Sequence, residues 1–245
     1  MATCATTGTG ATGLNETAVK ADGTKTIILT LTGDTWIAGG AWSPEANQVL
    51  EMHFENNDDI TQGTPVGGST NATKTLTRFN SMAYSSTQKS DGTYSLYKTL
   101  AGTTEYATIP TDVDQLQGTL VFDLYVATGN VSSSFVRFNI DANNYILVYA
   151  GVTGADIKAR YRGGGGNSDT TTVSMTTGTL HTITFKWRTG GGPPYLSIQV
   201  DSDTAGVYNS TLNTISGTAS VMEIGVSGDT ANFYIDNLKL YDVWL

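Results

Sequence analysis

The stretch FVRFNIDANNYILVY, residues 135–149, decides the fold. Val136, Phe138 and Ile140 alternate with Arg137 and Asn139. Asp141-Ala142-Asn143-Asn144 then interrupts, and Ile146 and Val148 alternate with Tyr145 and Tyr149. A period of two is a strand with one buried face, and an Asp/Asn cluster between two such runs is turn chemistry. The pattern continues outward. Residues 157–162 alternate Ile157, Ala159 and Tyr161 with Lys158, Arg160 and Arg162, then meet four glycines, Gly163 to Gly166. Upstream, residues 119–127 place Leu120, Phe122, Leu124 and Val126 on one face, and residues 94–100 and 105–109 flank the turn Ala101-Gly102-Thr103. Downstream, residues 180–188, 195–200, 221–226 and 233–241 read as further strands, with Ile183, Phe185 and Trp187, then Leu196, Ile198 and Val200, facing inward. Near the start, Ser43-Pro44-Glu45 has the form of a helix entry. The alternation of residues 48–54 outweighs it, setting Val49, Glu51 and His53 against Leu50, Met52 and Phe54.

Composition agrees. The 245 residues include 41 threonines and 28 glycines, but only 14% charged residues. Threonine is β-branched and suits a pleated surface, while glycine serves turns. The 39% hydrophobic fraction is enough for a core. Short strands at even spacing with no convincing helix predict an all-β, two-sheet antiparallel β-sandwich of jelly-roll type over residues 43–245. Residues 1–42 read as an extended N-terminal arm, an anchoring segment with one strand at residues 26–32.

Charge narrows the function. A net charge of −9 with 13 Lys+Arg disfavours nucleic acid, whose binding needs dense positive charge. No apolar run approaches the roughly 20 residues that span a bilayer, so no membrane partner is expected. No secretory signal is legible at residues 1–20. Cys4 is the single cysteine, and His53 and His181 are the only histidines, so a Cys/His metal centre is not expected.

Five segments, in order, resemble the concanavalin A-like, laminin-G-like jelly-roll domains. They are NQVLEMHFENN (47–57), DGTYSL with EYATIP (91–96, 105–110), GTLVFDLYV (118–126), GTLHTITFKW (178–187, Leu180 standing where tryptophan is usual) and FYIDNLKLYD (233–242). The stretch TIILTLTGDTW (26–36) and the run AYSSTQK (83–89) resemble segments of tailed-bacteriophage virion proteins that carry such domains. This resemblance implies a fold, not an activity. It also implies calcium as the one ion to consider, with Asp91 and Asp236 as candidate ligands; no other cofactor is expected.

Catalysis has little support. The glucanase relatives carry E-x-D-x-x-E on one strand, which is absent. Glu51 and Glu55 can share a face, but read as solvated strand charge. Ala205 to Asn209 only faintly echoes a lyase motif, and His181 reads as a structural strand-face histidine. Neither a nucleophile elbow nor a phosphate loop occurs, and Gly163 to Gly166 reads as a hairpin tip.

Alternation points instead to one sheet face. If the apolar residues face inward, the opposite face carries Phe135, Arg137, Asn139, Tyr145, Tyr149, Lys158, Arg160 and Arg162, with Gln199 nearby. On an acidic chain this basic and aromatic cluster suits glycans, particularly anionic ones, or an acidic partner subunit. The expectation is a non-enzymatic virion structural protein of a bacteriophage: capsid decoration, fibre or tail-associated. It would contact other virion subunits through residues 1–42, as a homo-oligomer, and touch a surface glycan through the sheet face. The alternative is a secreted polysaccharide-active enzyme or its carbohydrate-binding module.

Overall fold

A computed structural model of the chain describes residues 14–21, 24–31, 47–54, 62–63, 73–74, 76–80, 82–90, 92–99, 105–114, 116–127, 134–151, 155–225 and 232–245. Among these residues every regular element is a strand. In chain order they begin with β1 (Leu14–Ala21), β2 (Thr24–Leu31), β3 (Gln48–Met52), β4 (Gln62–Gly63), β5 (Thr73–Lys74), β6 (Thr77–Phe79) and β7 (Ala83–Ser85). There follow β8 (Ser95–Lys98), β9 (Tyr106–Val113), β10 (Gln117–Val126), β11 (Ser134–Asn139), β12 (Tyr145–Ala150), β13 (Asp156–Gly163) and β14 (Gly166–Asp169). The last are β15 (Val173–Ser174), β16 (Leu180–Arg188), β17 (Leu196–Val200), β18 (Gly206–Tyr208), β19 (Ala219–Ile224) and β20 (Phe233–Tyr241).

The chain divides into two compact units, Met1–Ser43 and Pro44–Leu245. In the first, β1 and β2 pair antiparallel from Leu14↔Leu31 to Ala21↔Thr24. Residues 26–32 are expected as a lone strand; β1 adds a partner. Its signal is Asp22-Gly23 between the two runs, a dipeptide favoured in two-residue hairpins, which the Ala/Thr/Gly-rich composition masks.

The second unit is an antiparallel β-sandwich of two eight-stranded sheets. Sheet I runs β18-β17-β16-β10-β20-β8-β7, with β3 also paired to β20; sheet II runs β14-β13-β12-β11-β19-β9-β6, with β15 paired to β13. Strands β4 and β5 form a separate pair. Strict alternation builds the core. In β13 the residues Ile157, Ala159, Tyr161 and Gly163 are buried and those between them are not; β3 and β17 alternate likewise. The inward faces meet as aromatic contacts: Phe138 of sheet II lies 5.6 Å from Trp187 of sheet I, and Phe135 makes an edge contact with Phe233 at 5.4 Å.

Sequence neighbours do not always share a sheet. Residues 94–100 and 105–109 read as a hairpin, yet β8 pairs with β20 in sheet I and β9 with β19 in sheet II. A buried polar group joins them. Lys98, fully buried, donates to the Glu105 carbonyl (2.5 Å) and to the Gly225 carbonyl (3.5 Å). The Glu105 carboxylate accepts from the Thr99 amide and hydroxyl at 2.8 Å. Buried charge is tolerated only with such partners. Elsewhere β13 and β14 meet through the two-residue loop Gly164-Gly165, whose φ values of +56° and +84° are the left-handed pair that a tight hairpin requires. The Asp141–Asn144 turn forms as expected, with Asp141 Oδ1 accepting from the Asn143 amide at 2.7 Å and from Asn144 Nδ2 at 3.0 Å.

Candidate functional site

The outer face of sheet II carries most of the expected cluster. Register places its residues in rows across the sheet. One row is Asp169–Arg160–Leu147–Arg137–Glu223, running from β14 to β19; the next is Asn167–Arg162–Tyr145–Asn139–Val221. Tyr149 lies beside Lys158 in a third. Arg137, Asn139, Tyr145, Tyr149, Lys158, Arg160 and Arg162 are all partly exposed and share this face.

The basic residues are not equivalent. Arg160 makes a two-point ion pair with Asp169, Nε to Oδ1 at 2.6 Å and Nη2 to Oδ2 at 2.9 Å. That pairing holds its guanidinium even more firmly protonated than usual. It also lies over the Tyr149 ring at 5.0 Å and reaches the Tyr149 hydroxyl at 3.4 Å. Burial, then the Asp169 charge, pushes the Tyr149 phenol above its ordinary value. Arg137 and Arg162 instead flank Tyr145, their guanidinium carbons 4.5 and 5.7 Å from the ring centre. Burial raises the Tyr145 phenol, but hydrogen bonds and charge from Arg162 and Arg160 outweigh it and leave the group more acidic than ordinary tyrosine. Glu223 sits opposite Arg137, yet its carboxylate accepts from Asn139 Nδ2 at 3.1 Å. Neither Arg137 nor Arg162 is ion-paired among the described residues, and Arg137 Nε, Arg162 Nε and Asn139 Oδ1 lack a protein hydrogen-bond partner. On this face the Arg160 charge is neutralised by Asp169, whereas Arg137 and Arg162 have no ion-pair partner among the described residues.

Two expected members are not there. Phe135 is fully buried in the core, because the register of β11 against β12 shifts between Ser134 and Val136 and turns two consecutive residues inward. Gln199 belongs to β17 in sheet I and donates to the Asp203 carbonyl at 2.9 Å. Conversely, Asp169 and Glu223 escaped the strand-face argument. Folding the chain back at Gly164-Gly165 sets residue 169 against residue 160, so the glycine tip carried that signal; Glu223 comes from a distant strand and had none.

Of the two candidate metal ligands, only Asp236 is among the described residues. Asp91 lies outside the described residues. Asp236 is buried, and its carboxylate accepts from the Ser90 amide (2.8 Å), the Ser90 hydroxyl (3.1 Å) and the Asn237 amide (2.9 Å), which ties the segment after β7 to β20. Among the described residues no group of three His, Cys, Asp or Glu side chains could hold a metal. His181 bridges Asp201 Oδ2 at 2.7 Å and the Thr176 carbonyl at 2.9 Å. Glu51 is met by His53 at 3.2 Å and Lys239 at 3.4 Å on sheet I. Glu55 lies outside the described residues.

No protein-family model and no curated protein matches the sequence. Solved structures share the fold. Domain 4 of AbnA, a GH43 extracellular arabinanase from Geobacillus stearothermophilus, solved in complex with arabinotriose, superposes with a TM-score of 0.61 at 14% identity, over 80% of this chain and 92% of that one. A botulinum neurotoxin type C structure, from work on cell entry that depends on two ganglioside molecules, gives 0.61 at 7% identity over 82% of this chain. The binding domain of botulinum neurotoxin DC in complex with SialylT gives 0.60 at 8%. This chain spans about half the length of the neurotoxin chains it matches, 49% and 48%. At such identities the likeness establishes a β-sandwich fold.

Proposed function

We propose that the chain is a non-catalytic, glycan-binding sandwich module that takes an acidic carbohydrate on the outer face of sheet II and is displayed on a bacteriophage virion. The observation that carries the binding reading is the pair Arg137 and Arg162 flanking Tyr145 without a carboxylate partner. A sugar carboxylate or sulfate would receive charge-assisted hydrogen bonds from these guanidiniums, and the Tyr145 hydroxyl would donate to a neighbouring oxygen. The ganglioside and arabinotriose contexts of the structural neighbours support a carbohydrate over a protein ligand. The absence of the paired-carboxylate sequence motif supports a role without bond cleavage.

Retention on immobilised polysaccharides tests the binding. Polyuronate, polysialate and sulfated chains should hold the protein at low salt and release it as the screening length falls from about 10 Å at 0.1 M to about 3 Å at 1 M. Retention on neutral chains only, or salt-insensitive retention on acidic ones, counts against it. The virion setting rests on the resemblance of residues 26–36 and 83–89. It predicts the full chain in fixed copy number in purified particles; its absence from particles sinks that part. The likeness to an arabinanase domain favours the second reading, a carbohydrate-binding module of a secreted polysaccharide-active enzyme. That reading keeps the site and puts the chain in culture fluid instead.

A further inference from the structure

A separate cleft opens where the β9–β10 and β16–β17 connections meet the C-terminal residues. Its volume is about 570 Å³, and it is lined by Asp114, Leu116, Gln117, Arg188, Thr189 and Trp244, among others. Arg188 lies over the Trp244 ring at 4.5 Å, and its Nε donates to the Pro194 carbonyl at 3.0 Å. That leaves the two terminal amino groups of the guanidinium as donors. Asp114 is anchored twice: its carbonyl accepts from the indole of buried Trp187 at 2.8 Å, and its Oδ1 accepts from the Leu116 amide at 2.7 Å. Its Oδ2 has no partner among the described residues. Gln117 spends its amide nitrogen on the Asp242 carbonyl at 3.2 Å, leaving Oε1 as an acceptor.

The cleft is apolar as well as polar. The exposed large hydrophobic residues among those described are Leu116, 62% exposed, and Leu245, 52% exposed. Leu116 lines the cleft and Leu245 follows Trp244 in sequence. A pyranose ring presents the complementary surface: an apolar C–H face suited to an indole or leucine, and hydroxyls that each want a donor and an acceptor. The volume lies within the range of small-ligand sites. Charge selects among sugars. The lining has one acid, Asp114, and one base, Arg188, so an anionic sugar would gain Arg188 and meet Asp114. A neutral sugar can bond both.

We propose that this cleft is a second carbohydrate site, taking one or two units of a neutral hexopyranose, independent of the acidic-glycan face on sheet II. The cleft is built from connections and the C-terminal residues and is charge-balanced, whereas the sheet II face is basic and shares none of its residues, so each survives the failure of the other.

The test uses the full chain, with methyl hexopyranosides and neutral hexose disaccharides as probes, followed by calorimetry and saturation-transfer NMR. At least one probe binds the wild type. Trp244→Ala weakens that binding by about tenfold or more, as expected for a central aromatic anchor. Gln117→Ala, at an exposed position that does not threaten folding, weakens it several-fold. Arg137→Ala/Arg162→Ala leaves it unchanged. The proposal is overturned if no neutral probe binds the wild type, if both cleft variants bind as well as wild type, or if the sheet II variant abolishes the signal. Self-association that depends on Trp244, seen by sedimentation in place of sugar binding, would assign the cleft to a second copy of the chain and also overturn it.

Discussion

A Trp187→Ala variant is expected to lose about 3–5 kcal/mol of stability, a large part of the roughly 5–15 kcal/mol that holds a typical domain folded. Trp187 is fully buried on β16 of sheet I. Its ring lies 5.3 Å from Phe185 and 5.6 Å from Phe138 across the sandwich, so truncation opens a void between the sheets. The loss of its indole N–H also frees the Asp114 carbonyl and loosens the wall of the cleft. The complementary change is Gly118→Ala. Gly118 is the ladder partner of Trp187, and a Cβ there would fall 2.2 Å from Trp187 Cζ2. The indole is gripped on other sides by the core and cannot swing away cheaply, so overpacking costs about 1–3 kcal/mol. Because the clash is with the indole itself, the two costs should not add: Gly118→Ala in the Trp187→Ala background should cost little further. Urea unfolding midpoints of the two single variants and the double variant measure this. A wild-type midpoint for Gly118→Ala would show that the glycine is not there to seat the tryptophan.

The second large effect concerns binding. Arg137→Ala and Arg162→Ala should each weaken acidic-glycan affinity by about tenfold, and together by about a hundredfold, the scale of one charge-assisted hydrogen-bonding group lost per change. Removing Arg160 and Asp169 together should leave affinity within about twofold, because the pair presents little net charge. Removing Arg160 alone exposes the Asp169 carboxylate to the ligand and should weaken binding indirectly; that is why the paired change is the control. Affinities by calorimetry at fixed salt decide it. Equal losses from the Arg137/Arg162 and Arg160/Asp169 pairs would mean that the face binds by bulk charge alone.

The contrast between these arginines shows how far the sequence reaches. Alternation placed Arg137, Arg160 and Arg162 on one face, and they are there. It could not tell that Arg160 is neutralised, since that depends on the tight turn at Gly164-Gly165 bringing Asp169 across from it. Phe135 failed for a related reason. One extra residue in a strand reverses the facing of what precedes it, and no local pattern showed that Phe135 would turn inward together with Val136. The cleft at Trp244 left no trace in the sequence, because its walls come from two connections and the C-terminal residues, which are far apart along the chain.

The sequence by itself determined the strand class, most of the strands, and which face of each strand is apolar. These follow from side chains alternating about a single backbone, which is a local property. The tertiary structure decided which strands share a sheet, sending β8 and β9 to opposite layers, seating Trp187 over Gly118, and leaving Arg137 and Arg162 without the carboxylate that Arg160 has. Each of these depends on contacts between residues distant in the chain, where packing of the two layers, and not the period of any one strand, selects the partner.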